Sequence, residues 1–469
     1  MNLPTRITAQ ALLGLMLIAS PSASADTCDS TRRALDTQIA DAGSADPRHD
    51  RFQSIRWLRQ TPFLHAELLD AADDRAAIRF VLDAMAELDR ATLLLELGGA
   101  AANAPPVRCW TQAVDRILST PEALTSLRDQ TPADLYRTWP RALGPYLVAK
   151  PFLRRGAARW RARERAAIAQ GRAAARVAFK PAAAAMGNRA EAMTALTARL
   201  RAARARHPLA WPALPPDQLT EAFALFAPAL HTSDTHAYAR IGRLEGHAGR
   251  PRVDTSMPVG YTEASYVRHG GKVLLQLTYS FWFTERPRTG VLDPYGGPID
   301  GIVLRATLSE DGRPLIWESI HPCGCYYTLF LPEDRPIRYE APASSDPEPA
   351  IVLTAPDSSA PIALHYTPDT HYARFMTEAT EEGASVASFA YALADYDELL
   401  RPGATRPPFG RDGILRGTAR QERWFLWPSG VASPGAMRSS GRQATAFLGK
   451  RRFDRAELLG GRLRTAAAP

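Results

Sequence analysis

The chain has 469 residues, enough for two or three domains, and 57 Lys and Arg against 49 Asp and Glu give it a net charge of +8. Lys150, Lys180, Lys272 and Lys450 are its only lysines, so the excess is an arginine-rich composition rather than a mark of nucleic-acid binding. The sequence has no phosphate-binding Gly-x4-Gly-Lys loop, dinucleotide fingerprint, Gly-x-Ser-x-Gly elbow or His-Glu-x-x-His helix, which argues against nucleotide chemistry and the common serine and zinc hydrolases.

Met1 to Arg6 are weakly basic, Ala9 to Ser20 are apolar, and Ala23-Ser24-Ala25 has the small-x-small cleavage pattern. This predicts a secretory leader over 1–25 and a periplasmic or secreted protein starting at Asp26. From 26 to about 210 the apolar residues recur at three and four, as in Ile78, Val81, Leu82, Met85 and Leu88. Helices are expected near 28–42, 50–72, 109–119, 133–147, 156–176 and 189–206, giving an all-helical domain. Within it Arg154, Arg155, Arg159 and Arg163, continued by Arg161, Arg165, Arg172 and Arg176, form a basic face opposed only by Glu164. Outside the cytoplasm, anionic lipid head groups or acidic glycans are its natural partners, and nucleic acid is not. A solvated helix face is the plainer reading.

Proline-rich text from His207 to Pro216 begins a linker and helix over 211–235. Beyond it the period falls to two. Ala264 to Arg268 and Lys272 to Phe283 flank His269-Gly270-Gly271, and Gly301 to Leu308 and Arg313 to Ile320 flank a Ser-Glu-Asp-Gly turn. Further strands are expected at 350–354, 361–366, 388–394, 423–427 and 444–448, with exposed loops at 331–349 and 401–413. The fold class is therefore α+β: a helical domain followed over 236–469 by an antiparallel β-rich domain, sandwich or barrel-like.

Export makes disulfides the default for Cys28, Cys109, Cys323 and Cys325. Cys28 and Cys109 each begin a predicted helix and are expected to pair, which leaves Cys323 with Cys325. Those two lie in His321-Pro322-Cys323-Gly324-Cys325-Tyr326-Tyr327, at the end of a predicted strand. Three readings stay open for this block. A transition metal such as zinc could be held by His321, Cys323, Cys325 and His371, the last on a loop announced by Pro368-Asp369-Thr370. The two cysteines could instead form a strained, easily reduced bridge, or remain buried thiols. His365, inside an apolar strand pattern, is a packed or surface residue. Weaker leads are Asp293, Asp300, Asp395, Asp397 and Glu398 as an acid/base pair or cation site, against plain turns. Phe281-Trp282-Phe283 and Trp424 to Trp427 could each offer one aromatic face to a sugar or peptide, with core packing the simpler use.

Leu274 to Phe283, Ile320 to Tyr326, Glu422-Arg-Trp-Phe-Leu-Trp-Pro428, Ser433 to Arg438 and Ala444 to Phe447 together resemble a family of exported, uncharacterised proteobacterial proteins. The resemblance covers most of 240–455 and, more loosely, the helical half. It implies export and the two-part organisation and transfers no activity. The expectation is a cell-envelope protein with a ligand-binding or structural role at the loops around His321 to Tyr327. The rival is a metal-dependent hydrolase with a nearby carboxylate as base.

Overall fold

The computed structural model describes residues 25–52, 55–98, 104–142, 145–182, 188–247, 250–291, 293–341, 351–380, 385–400 and 407–465. All of the predicted leader but Ala25, and parts of the predicted loops 331–349 and 401–413, lie outside these residues. Helices and a large sheet make up the described chain, with the helices concentrated before residue 227.

In the helical part, Arg75–Glu96 starts where the Asp74 carboxylate accepts hydrogen bonds from Ala76 N and Ala77 N. Its Val81, Leu82 and Met85 are fully buried, as their spacing predicts. Cys28, at the start of the first helix, is bridged to Cys109 with the Cα atoms 5.6 Å apart. The bridge closes a separation of 81 residues, which in the chain-entropy account contributes about 4.5 kcal/mol. Beneath it Arg32 and Arg59 both reach Asp89, and Arg59 also pairs with Glu96. That need to pair buried guanidinium groups explains one departure from expectation. The stretch 50–72 is not a single helix: Asp50–Arg51 and Arg59–Gln60 form a short ladder, and a helix begins only at Pro62, capped by Thr61.

The main sheet has thirteen strands among the described residues, and it is mixed rather than antiparallel. Lys272–Arg286 lies at its centre between Val259–His269 and Gly297–Leu308, both antiparallel to it. Pro314–Ile320 and Thr328–Pro332 continue the antiparallel run. Parallel pairings then appear: Thr328–Pro332 with Ile351–Ala355, Ile362–Tyr366 with Ala229–Thr232, and Ala387–Asp395 with both Val259–His269 and Val177–Pro181. The hairpin turns read from the sequence give only the local antiparallel contacts, whereas the parallel ones join strands that no hairpin connects.

Val177–Pro181 also corrects the all-helical reading of 26–210. It sits inside the sheet, paired to Ala229–Thr232 on its other side, and its buried Val177 and Phe179 pack in one core with Phe281, Phe283 and Leu304. That core covers one face of the central strand, while Trp282 joins a second cluster on the opposite face. Phe281, Trp282 and Phe283 are therefore all core, and none forms an exposed platform. The predicted strands at 423–427 and 444–448 are also absent. Arg423–Leu426 is a helical turn continued by Trp427–Ser429, because a single apolar side chain, Leu426, turns inward while Trp424 and Phe425 face out. Ala444 makes only an isolated bridge to Arg452.

Candidate functional site

Pro314–Ile320 delivers the His321 block to the end of the sheet. There the chain turns at once: Gly324 N donates to His321 O at 2.7 Å and His321 N to Cys325 O at 3.0 Å. Gly324 has φ +90°, and a Cβ there would run into the Ala444 carbonyl, so this turn admits only glycine and is pressed against the C-terminal loops.

The turn does not build the expected metal site. His321 Nε2 meets His371 O at 3.1 Å, and its Nδ1 lies 3.3 Å from Asp300 Oδ1. His371 Nδ1 is 2.9 Å from Asp300 Oδ2, and its Nε2 is 2.9 Å from Tyr238 O. Three of the four ring nitrogens are held in hydrogen bonds and the fourth, His321 Nδ1, faces Asp300, and the described residues hold no group of three or more His, Cys, Asp or Glu placed to share an ion. Nor are Cys323 and Cys325 bridged: both are free thiols, with Cys325 N directed at Cys323 Sγ at 3.4 Å. A bridge across one intervening residue would force a very small ring, which this open turn avoids. The hydrogen bond with Cys323, then burial, push the Cys325 thiol well above its ordinary range, so it is a poor nucleophile.

Asp300 instead anchors a buried hub. Burial opposes its charge, but the facing His321 and His371 rings outweigh burial and hold the carboxyl well below the usual range. Burial lowers His321, against the pull of Asp300. The hub ties the start of Gly297–Leu308 to two loops and fixes two unusual backbones, His371 at φ 55° and Tyr326 at φ 61°. His371 is also stacked on Phe283, 3.9 Å between ring centres. Backbones of this kind persist only where their surroundings over-determine them.

The hub supports one wall of a cavity of about 1450 Å³. Its floor is Arg286, whose guanidinium lies 5.4 to 5.7 Å from the ring centres of Tyr295, Tyr326 and Tyr372 and donates to the hydroxyls of Tyr326 and Tyr372, both at 3.2 Å. Burial works against its charge, yet the phenol oxygens and Asp300 keep Arg286 above its ordinary value. The opposite wall is the helix Pro145–Ala169, which contributes Trp160 against Tyr326 and Tyr372 and the exposed Arg159 and Arg163. Glu164 does not neutralise these arginines. It is turned inward onto Arg374, fastening the helix to Ala373–Glu378. Arg154 and Arg155 are exposed further along the same helix.

Two carboxyls on the cavity wall contrast sharply. Asp293 accepts from Thr289 N and Oγ at 3.1 and 3.2 Å and from Tyr295 N at 2.9 Å. Burial is outweighed by these bonds, and its carboxyl is held below the usual range. Glu422 is 6% exposed, and its carboxyl has no hydrogen-bond partner among the described residues. Burial pushes it up to about 7, against Arg286 and Arg420.

Of the residues singled out in the sequence, the structure brings His321, His371 and Asp300 together behind the wall and places Cys325, Asp293, Arg159 and Arg163 on it. Cys323 stays buried beside them. Arg286 and Tyr372 gave no sequence signal, and Trp160 stood out only as an aromatic on the arginine-rich helix. Only the proximity of Tyr326 to the cysteine block, and the place of Glu422 at the head of an aromatic run, pointed toward the site. Set against known protein families, curated proteins and solved structures, the chain matches none of them.

Proposed function

We propose that this is an exported cell-envelope protein of the proteobacterial family it resembles, and that it binds an acidic glycan in the cavity between the arginine-rich helix and the sheet end. The observation that carries this reading is Arg286, a half-buried cation ringed by three tyrosines at the cavity floor. A carboxylate reaching it gains a charge-assisted bond, while the flat Trp160, Tyr326 and Tyr372 rings suit the C–H faces of sugar rings. Arg159 and Arg163 on the opposite wall extend the attraction to a chain of acidic units. The paired Cys28 and Cys109 fit an oxidising compartment. A metal-dependent hydrolase has less support, because the ring nitrogens of His321 and His371 are already engaged.

Titration calorimetry of the mature protein with oligogalacturonate and hyaluronan oligosaccharides tests the proposal, with neutral cello-oligosaccharides as control. Salt-sensitive binding of the acidic sugars that weakens about tenfold or more in Arg286→Met supports it. A second reading, a lipid head group at the same cations, is favoured by the exposed Leu147, Val148, Phe152, Trp424 and Phe425, of which Phe152 and Phe425 line the cavity. Flotation with phosphatidylglycerol vesicles but no oligosaccharide binding would select that reading. Equal affinity for neutral and acidic oligosaccharides would sink the charge argument.

A further inference from the structure

We propose that Glu422 is a catalytic acid of this cavity, donating its proton to the glycosidic oxygen of a bound acidic saccharide while Asp293 takes a proton from the attacking water. The inference rests on the glycan-binding reading and adds a reaction to it. Glu422 is set by its backbone, whose N–H donates to Pro294 O at 3.2 Å, and this contact places it next to the turn that carries Asp293. Gly435, at φ +78°, lies against the Glu422 carboxyl so closely that a Cβ there would collide with Oε1. The side chain is thus confined at the cavity wall, and no described residue supplies its carboxyl with a hydrogen bond.

The Glu422 carboxyl oxygens are not sealed off from this cavity, so water or a ligand that enters it supplies their hydrogen bonds. The surrounding charges are Arg286, Arg420, Asp300 and Asp293. They only partly offset burial, so Glu422 still holds its proton in about half of the molecules near pH 7 and in most below it, while the three donors on Asp293 keep that group charged. Two carboxyls in one cavity, one protonated and one ionised, are what general acid and base catalysis of acetal cleavage needs.

The step balances without a metal or redox partner. The anomeric C–O bond breaks as the Glu422 proton moves to the leaving oxygen. Water oxygen bonds to the anomeric carbon, and the water's proton passes to Asp293. Glu422 ends ionised and Asp293 protonated, and exchange with solvent restores both. Each cleavage consumes one water and creates one reducing end.

The test uses the full disulfide-bonded protein with oligogalacturonate and hyaluronan, reading affinity by calorimetry and cleavage by new reducing ends carrying oxygen-18 from labelled water. The expected result is cleavage whose rate falls as pH rises through about 7. Glu422→Gln should slow it about 100-fold or more with affinity changed less than threefold, and Asp293→Asn should slow it similarly. Binding with no label in the product overturns the catalytic assignment and leaves the binding reading standing. Absence of binding to both saccharides overturns the two together. One measurement needs no ligand: an infrared band of a protonated carboxyl at pH 6 that vanishes in Glu422→Gln is required, and its absence from the wild-type protein refutes Glu422 as a proton donor.

Discussion

Replacing Glu422 by glutamine removes a group that the fold keeps protonated against the pH of its surroundings, and this has a consequence for stability that is independent of any ligand. The folded carboxyl titrates at about 7, against 4.5 for an unperturbed glutamate, chiefly through burial. A carboxyl raised in the folded state leaves stability unaffected below about pH 4.5, where both states are protonated. Between 4.5 and 7 the unfolded chain releases the proton and the folded chain does not, so stability falls. The difference of about 2.5 units corresponds to roughly 3 kcal/mol, reached by pH 7 and constant above it. Glutamine has nearly the same shape and no charge to lose. Glu422→Gln should therefore match the wild type at pH 4.5 and exceed it by up to about 3 kcal/mol at pH 8. With an unfolding entropy of about 2 cal/mol/K per residue, a chain this long would gain about 3 to 4 °C in Tm. Parallel urea and thermal melts of both proteins from pH 4.5 to 8.5 make the comparison. A gap that does not change with pH, or that favours the wild type at pH 8, would refute the burial argument.

Other outcomes follow from the same geometry. Asp300→Asn should cost about 3 kcal/mol or more at pH 7, because two imidazoles lose the carboxylate they face. Since the Asp300 carboxyl is depressed in the folded state, its contribution is present above about pH 4 and fades as pH falls further, so urea melts of the two proteins should converge on acidification. Cys28→Ser with Cys109→Ser should lower stability by about 4.5 kcal/mol, read from urea melts. The intact mass of the purified protein should show one disulfide, with Cys323 and Cys325 slow to react with a thiol reagent until the protein is unfolded.

The parts legible in the sequence were those decided by neighbouring residues. The three-four spacing around Met85 marks a buried helix face, and the glycine and Asp-Gly turns mark hairpins, because the pattern and the contact lie in one short window. Val177–Pro181 was missed for the opposite reason. A five-residue apolar strand is brief enough to hide at the end of an arginine-rich helix, and only its partners Ala229–Thr232 and Ala387–Asp395 make it a strand. Aromatic density at 424–427 misled in a similar way. Density says nothing of which ring faces inward, and the turn leaves Trp424 and Phe425 exposed.

The site shows where such reading stops. Cysteine and histidine drew notice at His321, Cys323, Cys325 and His371 because they are rare, and rarity signals chemistry only when the side chains converge with free lone pairs. Here the histidines converge on Asp300, so their role is to hold the wall in place. The groups that face the cavity, Arg286, Tyr372, Trp160 and Glu422, are drawn from four separated stretches of the chain. What makes each unusual is its surroundings: among the described residues, a guanidinium that meets phenols rather than a carboxylate, and a carboxyl on the cavity wall with no protein donor. Neither condition can be written in a local motif, since each is a property of what the folded chain fails to place beside the group. The two lacks are also complementary to one kind of visitor. A molecule carrying a carboxylate for Arg286 and an ether oxygen for the Glu422 proton satisfies both at once, which is why one acidic saccharide accounts for them better than two unrelated ligands would.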